Sequence, residues 1–196
     1  MMKQIFFKHN IDNNKLPLNK NNINSKVIDI IFIALFVAII AVCSQIIIPF
    51  GQIPFTLQTL AVLLSASLLG AKRGSCSVFI YILLGAVGLP VFSGFSGGLS
   101  FLLGPTGGYI IGFLFTAFIV GFITEKLGDK HWVLALSMAL GILVCYAFGT
   151  MWFCIIMKRD ILYGLLWCVV PYIIPDVIKI VFSVFLVKRF QKVIKV

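Results

Sequence analysis

Charge is scarce in this chain, and acidic charge scarcest. Of its 196 residues only 11% are charged and 6 are Asp or Glu, where soluble domains carry about 25% charged residues. So few charges cannot cover a water-facing globular surface. Strict polar–apolar alternation is also missing, which argues against a transmembrane β-barrel. The two histidines, His9 and His131, form no cluster. The cysteines, Cys43, Cys76, Cys145, Cys154 and Cys168, are odd in number, scattered and never spaced C-x-x-C. They read as small apolar residues within helices rather than a disulfide framework or a metal site. No G-K-[ST] follows a glycine-rich loop, so a Walker-type nucleotide site is not expected. No nucleophile–base pair stands out either. Neither catalysis nor ATP hydrolysis is expected, no cofactor or metal is implied, and any active transport must draw its energy from elsewhere.

What the chain has instead is apolar length. Hydrophobic residues make up 61% of it, and mean hydropathy is +1.11. Several runs reach the roughly 20 residues that cross a bilayer core as helix. The expected class is an all-α integral membrane protein. Six spans are expected, at about 27–48, 56–71, 75–92, 109–124, from 132 to just before Lys158, and 169–187. The second is short for a crossing. Residues 1–26 are a different material, with seven Asn and five Lys. Such a segment buries too little surface to order itself, so it reads as a flexible tail ahead of a membrane domain at 27–196. It is not a secretory signal, because its polar part is too long and the run after it is of full span length.

The distribution of basic residues gives an orientation. If the N-terminus lies inside, the inner segments hold Lys3, Lys8, Lys15, Lys20, Lys26, Lys72, Arg73, Lys126, Lys130, Lys188, Arg189, Lys192 and Lys195. The outer loops then hold only Lys158 and Arg159, and Lys179 lies within a span. That bias obeys the positive-inside rule and puts both termini in the cytoplasm. The net charge of +10 therefore reflects topology and contact with anionic lipid rather than nucleic acid.

Two charges break the apolar pattern. "PYIIPDVIKIVF", residues 171–182, places Asp176 and Lys179 in the last span. A charge at membrane depth costs roughly 2.5–3.5 kcal/mol on insertion scales and marks a functional site by default. Spacing i, i+3 puts the two on one helix face. A structural ion pair is the plainer alternative. Pro175 disfavours helix at the residue before it, so the helix is expected to begin at Pro175, with Asp176 in its first turn. Three outer elements would then converge. They are the start of this helix, the glycine-rich stretch "SGFSGGLSFLLGPTGG" (93–108), and "PFGQIPFTLQTLAVLL" (49–64), where Thr56, Gln58 and Thr59 bring polar groups to the mouth of a span. Gly104, Gly108 and Gly112 recur every four residues, a close-packing pattern first. Ala34 and Ala38 have the same spacing on the first span.

These stretches, with "PFGQIPFTLQTLAVLLSASLLGAKRG" (49–74), "GLPVFSGFSGGLSFLLGPTGGYIIGF" (88–113) and "VVPYIIPDVIKIVF" (169–182), closely resemble the BioY family. That family comprises the biotin-specific substrate-binding (S) subunits of energy-coupling factor (ECF) transporters. The similarity runs in order from about residue 30 to 187. It implies the six-helix S-component bundle in a bacterial cytoplasmic membrane, with a biotin pocket opening outward. It implies a transmembrane coupling protein (the T component) and two ABC ATPase subunits as partners. Asp176 and Lys179 match the family's D-x-x-K and are expected to contact biotin, with Tyr109, Gln58, Thr56, Ser96, Gly97 and Gly98 around it. Ser96 falls where some members carry asparagine, and Ile110 where some carry arginine. The biotin carboxylate would then be left to Lys179, Tyr109 or backbone N–H groups. Tyr109, Trp167 and Tyr172 are candidates to cover the apolar middle of the ligand. Ala34 and Ala38 match the small-residue motif that docks such subunits on the coupling protein. Rival readings are an S subunit for another vitamin and a non-transporting membrane scaffold.

Overall fold

The computed structural model describes residues 20–48 and 53–194, and it is almost wholly helical. Helix α1 spans Lys20–Gln45. It runs back into the Asn/Lys-rich segment, since each residue added to an existing helix costs little. Residues 1–19 of the expected tail lie outside the described residues, as do Pro49 and Gly51. A short antiparallel ribbon follows, β1 (Ile47–Ile48) against β2 (Phe55–Thr56), with Ile47 opposite Thr56. Then come α2 (Gln58–Ala86), a 3-10 turn (Ser93–Phe95), α3 (Leu99–Leu102), α4 (Gly107–Leu127), α5 (His131–Met157), α6 (Ile161–Cys168) and α7 (Val170–Ile194).

Among the described residues, five helices are long and apolar enough to cross a membrane: α1, α2, α4, α5 and α7. The expected second and third spans fall together in α2, which is broken at Gly70 with φ 83° and ψ −177°. The chain folds back there. A Cβ on Gly74 would stand 2.8 Å from the Cα of Ala66, far closer than residues eight apart in a straight helix. Only glycine adopts this backbone without strain. Glu125 caps the turn, accepting a hydrogen bond from the Ala71 N–H at 3.0 Å. At the same end, the ion pair Arg73–Asp29 (2.9 Å) ties α2 to α1, and Lys188–Asp129 (4.0 Å) ties α7 to the connection between α4 and α5. Asp29 is therefore a structural partner.

The core gathers Phe36, Val37 and Ile40 of α1, Val62, Leu63, Val78 and Tyr81 of α2, Ala117 and Val120 of α4, Leu134 and Met138 of α5, and Val187 of α7. Large apolar residues such as Val42, Phe118, Leu143, Ile155, Val181 and Phe185 face outward, as lipid solvation requires. On α4, Gly108 and Gly112 face α5, where a Cβ would meet Trp152 and Cys145. Small residues let these two backbones approach, and van der Waals contact does the work in lipid.

Helix α7 departs from expectation. It begins at Val170 and contains Pro175, so Asp176 lies beyond the first turn rather than within it. A proline this near a helix start forfeits one backbone hydrogen bond, which is tolerable where neighbouring helices pack around it.

Candidate functional site

At the end of the bundle away from Gly70, the two-stranded ribbon, the start of α2, the 3-10 turn, α4, α5, α6 and α7 surround a cavity of about 670 Å³, counting its open mouth. No described residue of α1 lines it.

The α7 wall supplies Asp176 and Lys179, each over nine-tenths buried. Lys179 Nζ donates to Asp176 Oδ1 at 2.9 Å and to Thr59 Oγ1 at 3.4 Å. It also lies 3.9 Å from the centroid of the Phe55 ring, a cation–π contact. The other carboxylate oxygen, Asp176 Oδ2, accepts from the Tyr146 hydroxyl of α5 at 2.5 Å. Both charges are thus compensated, which a buried pair requires. Each carboxylate oxygen still has a lone pair able to accept a further bond.

Gln58 adds the opposite kind of group. It is 4% exposed and lines the cavity; its Nε2 makes no hydrogen bond of good geometry, although the amide lies beside the Tyr81 hydroxyl. A buried donor left unmade costs about 1–3 kcal/mol. Thr56 also lines the cavity, its Oγ1 accepting from the Gln58 backbone N–H at 3.4 Å.

Tyr109 lines the cavity with its ring. Its hydroxyl is taken by protein, lying 3.1 Å from Thr150 Oγ1 and 3.5 Å from the Cys168 carbonyl. The ring lies against Gly149, where a Cβ would come within 2.3 Å of it. Tyr172 also lines the cavity and donates to the Ile53 carbonyl, holding the ribbon against α7. Ile110, Phe101 and Phe113 make apolar wall.

Ser96, Gly97 and Gly98 do not reach the cavity lining; the turn presents Ser93 instead. The Ser96 carbonyl accepts from Phe92 N–H at 2.9 Å and closes the turn. Gly97 passes so near the chain that a Cβ would meet the Leu89 carbonyl oxygen at 2.4 Å. The Gly98 N–H donates to Gly85 O at 2.7 Å. These residues anchor the turn and do not form its cavity face. Trp167 is 48% exposed on α6 and lies outside the lining. Ala34 and Ala38 are exposed on α1, far from this wall. Tyr146, Phe55 and Ser93 were not singled out from the sequence, and Thr59 only as a polar group at the mouth of a span. Only a register argument placing Tyr146 on α5 opposite Asp176 would have found the first of them.

Comparison with known proteins identifies relatives of the whole chain. The BioY family profile matches residues 15–196. The "Probable biotin transporter BioY" of Pyrococcus horikoshii is 41% identical over 165 residues, covering 83% of this chain and 96% of that protein. The "Biotin transporter BioY" of Thermotoga maritima is 42% identical over 158 residues, covering 81% of this chain and 92% of the relative. A 2.1 Å crystal structure of the S-component for biotin from an ECF-type ABC transporter superposes with a TM-score of 0.81 at 30% identity, covering 90% of this chain and 95% of that one. A multi-pass membrane bundle, a polar pair walled into its cavity and similarity along nearly the whole length converge: this chain belongs to the BioY family.

Proposed function

We propose that this protein binds biotin and serves in its uptake as the substrate-specific subunit of an ECF-type transporter, not as an enzyme. The observation that carries the reading is the cavity's polar set: a buried Asp176–Lys179 pair beside the buried Gln58 amide. Biotin has a ureido ring with two N–H donors and a carbonyl acceptor, an apolar thiolane and valeryl chain, and a carboxylate. Asp176 suits the ureido N–H groups. Lys179 and Gln58 suit the ureido carbonyl or the carboxylate. Thr56 and Tyr109 flank the ligand, with Tyr172, Phe101, Phe113 and Ile110 against its apolar middle.

The chain crosses the cytoplasmic membrane six times, the two arms of α2 crossing separately around the Gly70 turn. Both termini lie in the cytoplasm, and the cavity opens outward. Supporting this, Arg73, Lys126 and Lys188 lie on segments at the Gly70 end, while Lys158 and Arg159 follow α5 at the cavity end. Energy comes from a separate T component and two ATPase subunits, with α1 docking through Ala34 and Ala38.

The test is equilibrium binding of labelled biotin to the purified chain in detergent, competed with thiamin, riboflavin and desthiobiotin. Saturable binding displaced by neither thiamin nor riboflavin supports the reading. Displacement by thiamin or riboflavin would name another vitamin, and a folded chain that binds none of them would overturn it.

A further inference from the structure

The turn that brings Ser93 to the cavity wall is held from outside the cavity, by the last residues of α1. Gln45 bridges it. Its Nε2 donates to the Phe92 carbonyl at 3.0 Å and its Oε1 accepts from the Phe95 N–H at 2.9 Å. One amide thus spans both ends of the Phe92–Phe95 segment, with Ser93 between. Ser44 Oγ lies 2.6 Å from the Val91 carbonyl, which also accepts from Tyr81 at 3.0 Å. Phe95 has φ 54°, a backbone state that L residues rarely hold unless the surroundings fix it. Gln45 takes the N–H of that same residue. Next to it, the Phe92 ring is fully buried, 5.6 Å from Tyr81 and 5.4 Å from Phe101, and Phe101 is cavity wall.

Immediately after Gln45 the chain enters β1, which pairs with the cavity strand β2. Helix α1 therefore grips both parts of the cavity roof without lining the cavity.

We infer that Gln45 is a positioning residue for the ligand. It clamps the 92–95 turn so that Ser93 and Phe101 stand at the cavity wall, and it ties that wall to the helix bearing the exposed Ala34 and Ala38. This rests on the biotin-binding reading above.

The test compares wild type, Gln45→Met and Gln45→Glu as purified full chains, measuring labelled-biotin dissociation and thermal unfolding. Methionine keeps the length and removes both bonds to the turn, along with the Nε2 bonds to Ser44 Oγ at 2.9 Å and the Ala41 carbonyl at 3.4 Å within α1. Glutamate keeps the acceptor for Phe95 N–H. Loss of the two bonds to the turn predicts dissociation about tenfold faster for Gln45→Met, with Gln45→Glu intermediate and unfolding temperatures close to wild type. Equal dissociation rates in all three chains would overturn the clamp, as would a rate rise matched only by loss of fold in both variants. A wild-type chain that binds no biotin would overturn the functional reading itself, and that result is distinct from wild-type binding that the variants leave unchanged.

Discussion

Tyr146 on α5 and Asp176 on α7 join across the cavity through a hydroxyl-to-carboxylate hydrogen bond of 2.5 Å. That bond holds the Asp176 carboxylate from a second helix. Lys179 occupies one carboxylate oxygen and Tyr146 the other, so the group is fixed in rotation before a ligand arrives. Charge-assisted bonds to a preset carboxylate lose less on ordering than bonds to a free one.

Tyr146→Phe removes the donor and keeps the ring. Biotin affinity is expected to fall about tenfold, one hydrogen bond to a charged group being worth about 1.5–3 kcal/mol. The folded state should persist. Titration of labelled biotin checks this, and unchanged affinity would show that Asp176 needs no second anchor.

Asp176→Asn removes the charge that balances Lys179. A buried cation left alone costs about 3–5 kcal/mol of stability, so both thermal stability and biotin affinity should drop, the latter by well over tenfold. Adding Lys179→Met should restore stability without restoring binding. That split separates a ligand role from a purely structural pair. A folded Asp176→Asn chain with wild-type affinity would refute the role of Asp176, and a double variant that still binds and transports would favour a scaffold.

The ion pair was legible because charge in an apolar run is costly whatever the fold. Gln58 and Thr56 were legible for the same reason, as polar residues at the mouth of a span. Ser96, Gly97 and Gly98 were read as ligand contacts because a glycine-rich run looks alike whether it approaches a ligand or its own chain. Here Gly97 runs against the Leu89 carbonyl. Pro175 was read as a helix start because proline favours the first turn. Yet α7 extends one turn earlier through Val170, where packing outweighs the local preference. Tyr146 is legible only once the register of α5 against α7 is known, since its partner is 30 residues away on another helix.

Gly70 should resist substitution for two reasons. Its φ of 83° strains any side chain, and a Cβ would fall 2.0 Å from Glu125 Oε1. Gly70→Ala would therefore displace the carboxylate that caps Ala71 N–H. A strained backbone costs about 1–3 kcal/mol, and a lost cap adds about 1 kcal/mol. Unfolding temperature should fall clearly, while any folded fraction binds biotin normally, because the turn is at the far end from the cavity. Wild-type stability would mean the turn can relax around a methyl group.

Ala34 and Ala38 lie one turn apart on α1 and are both exposed, flanked by the outward apolar side chains of Ile30, Ile31, Leu35 and Val42. Small residues in such a row leave a shallow groove into which another helix can sit closely. Leucine at both positions would fill the groove without adding polarity, so insertion and biotin binding should remain at wild-type levels. Reconstituted with its T component and ATPases, the Ala34→Leu, Ala38→Leu chain should bind biotin yet transport at least tenfold less. Co-purification with the coupling protein should weaken in parallel. Loss of biotin binding would instead assign the pair to packing within the bundle. Undiminished uptake would move the docking surface to another face of the chain.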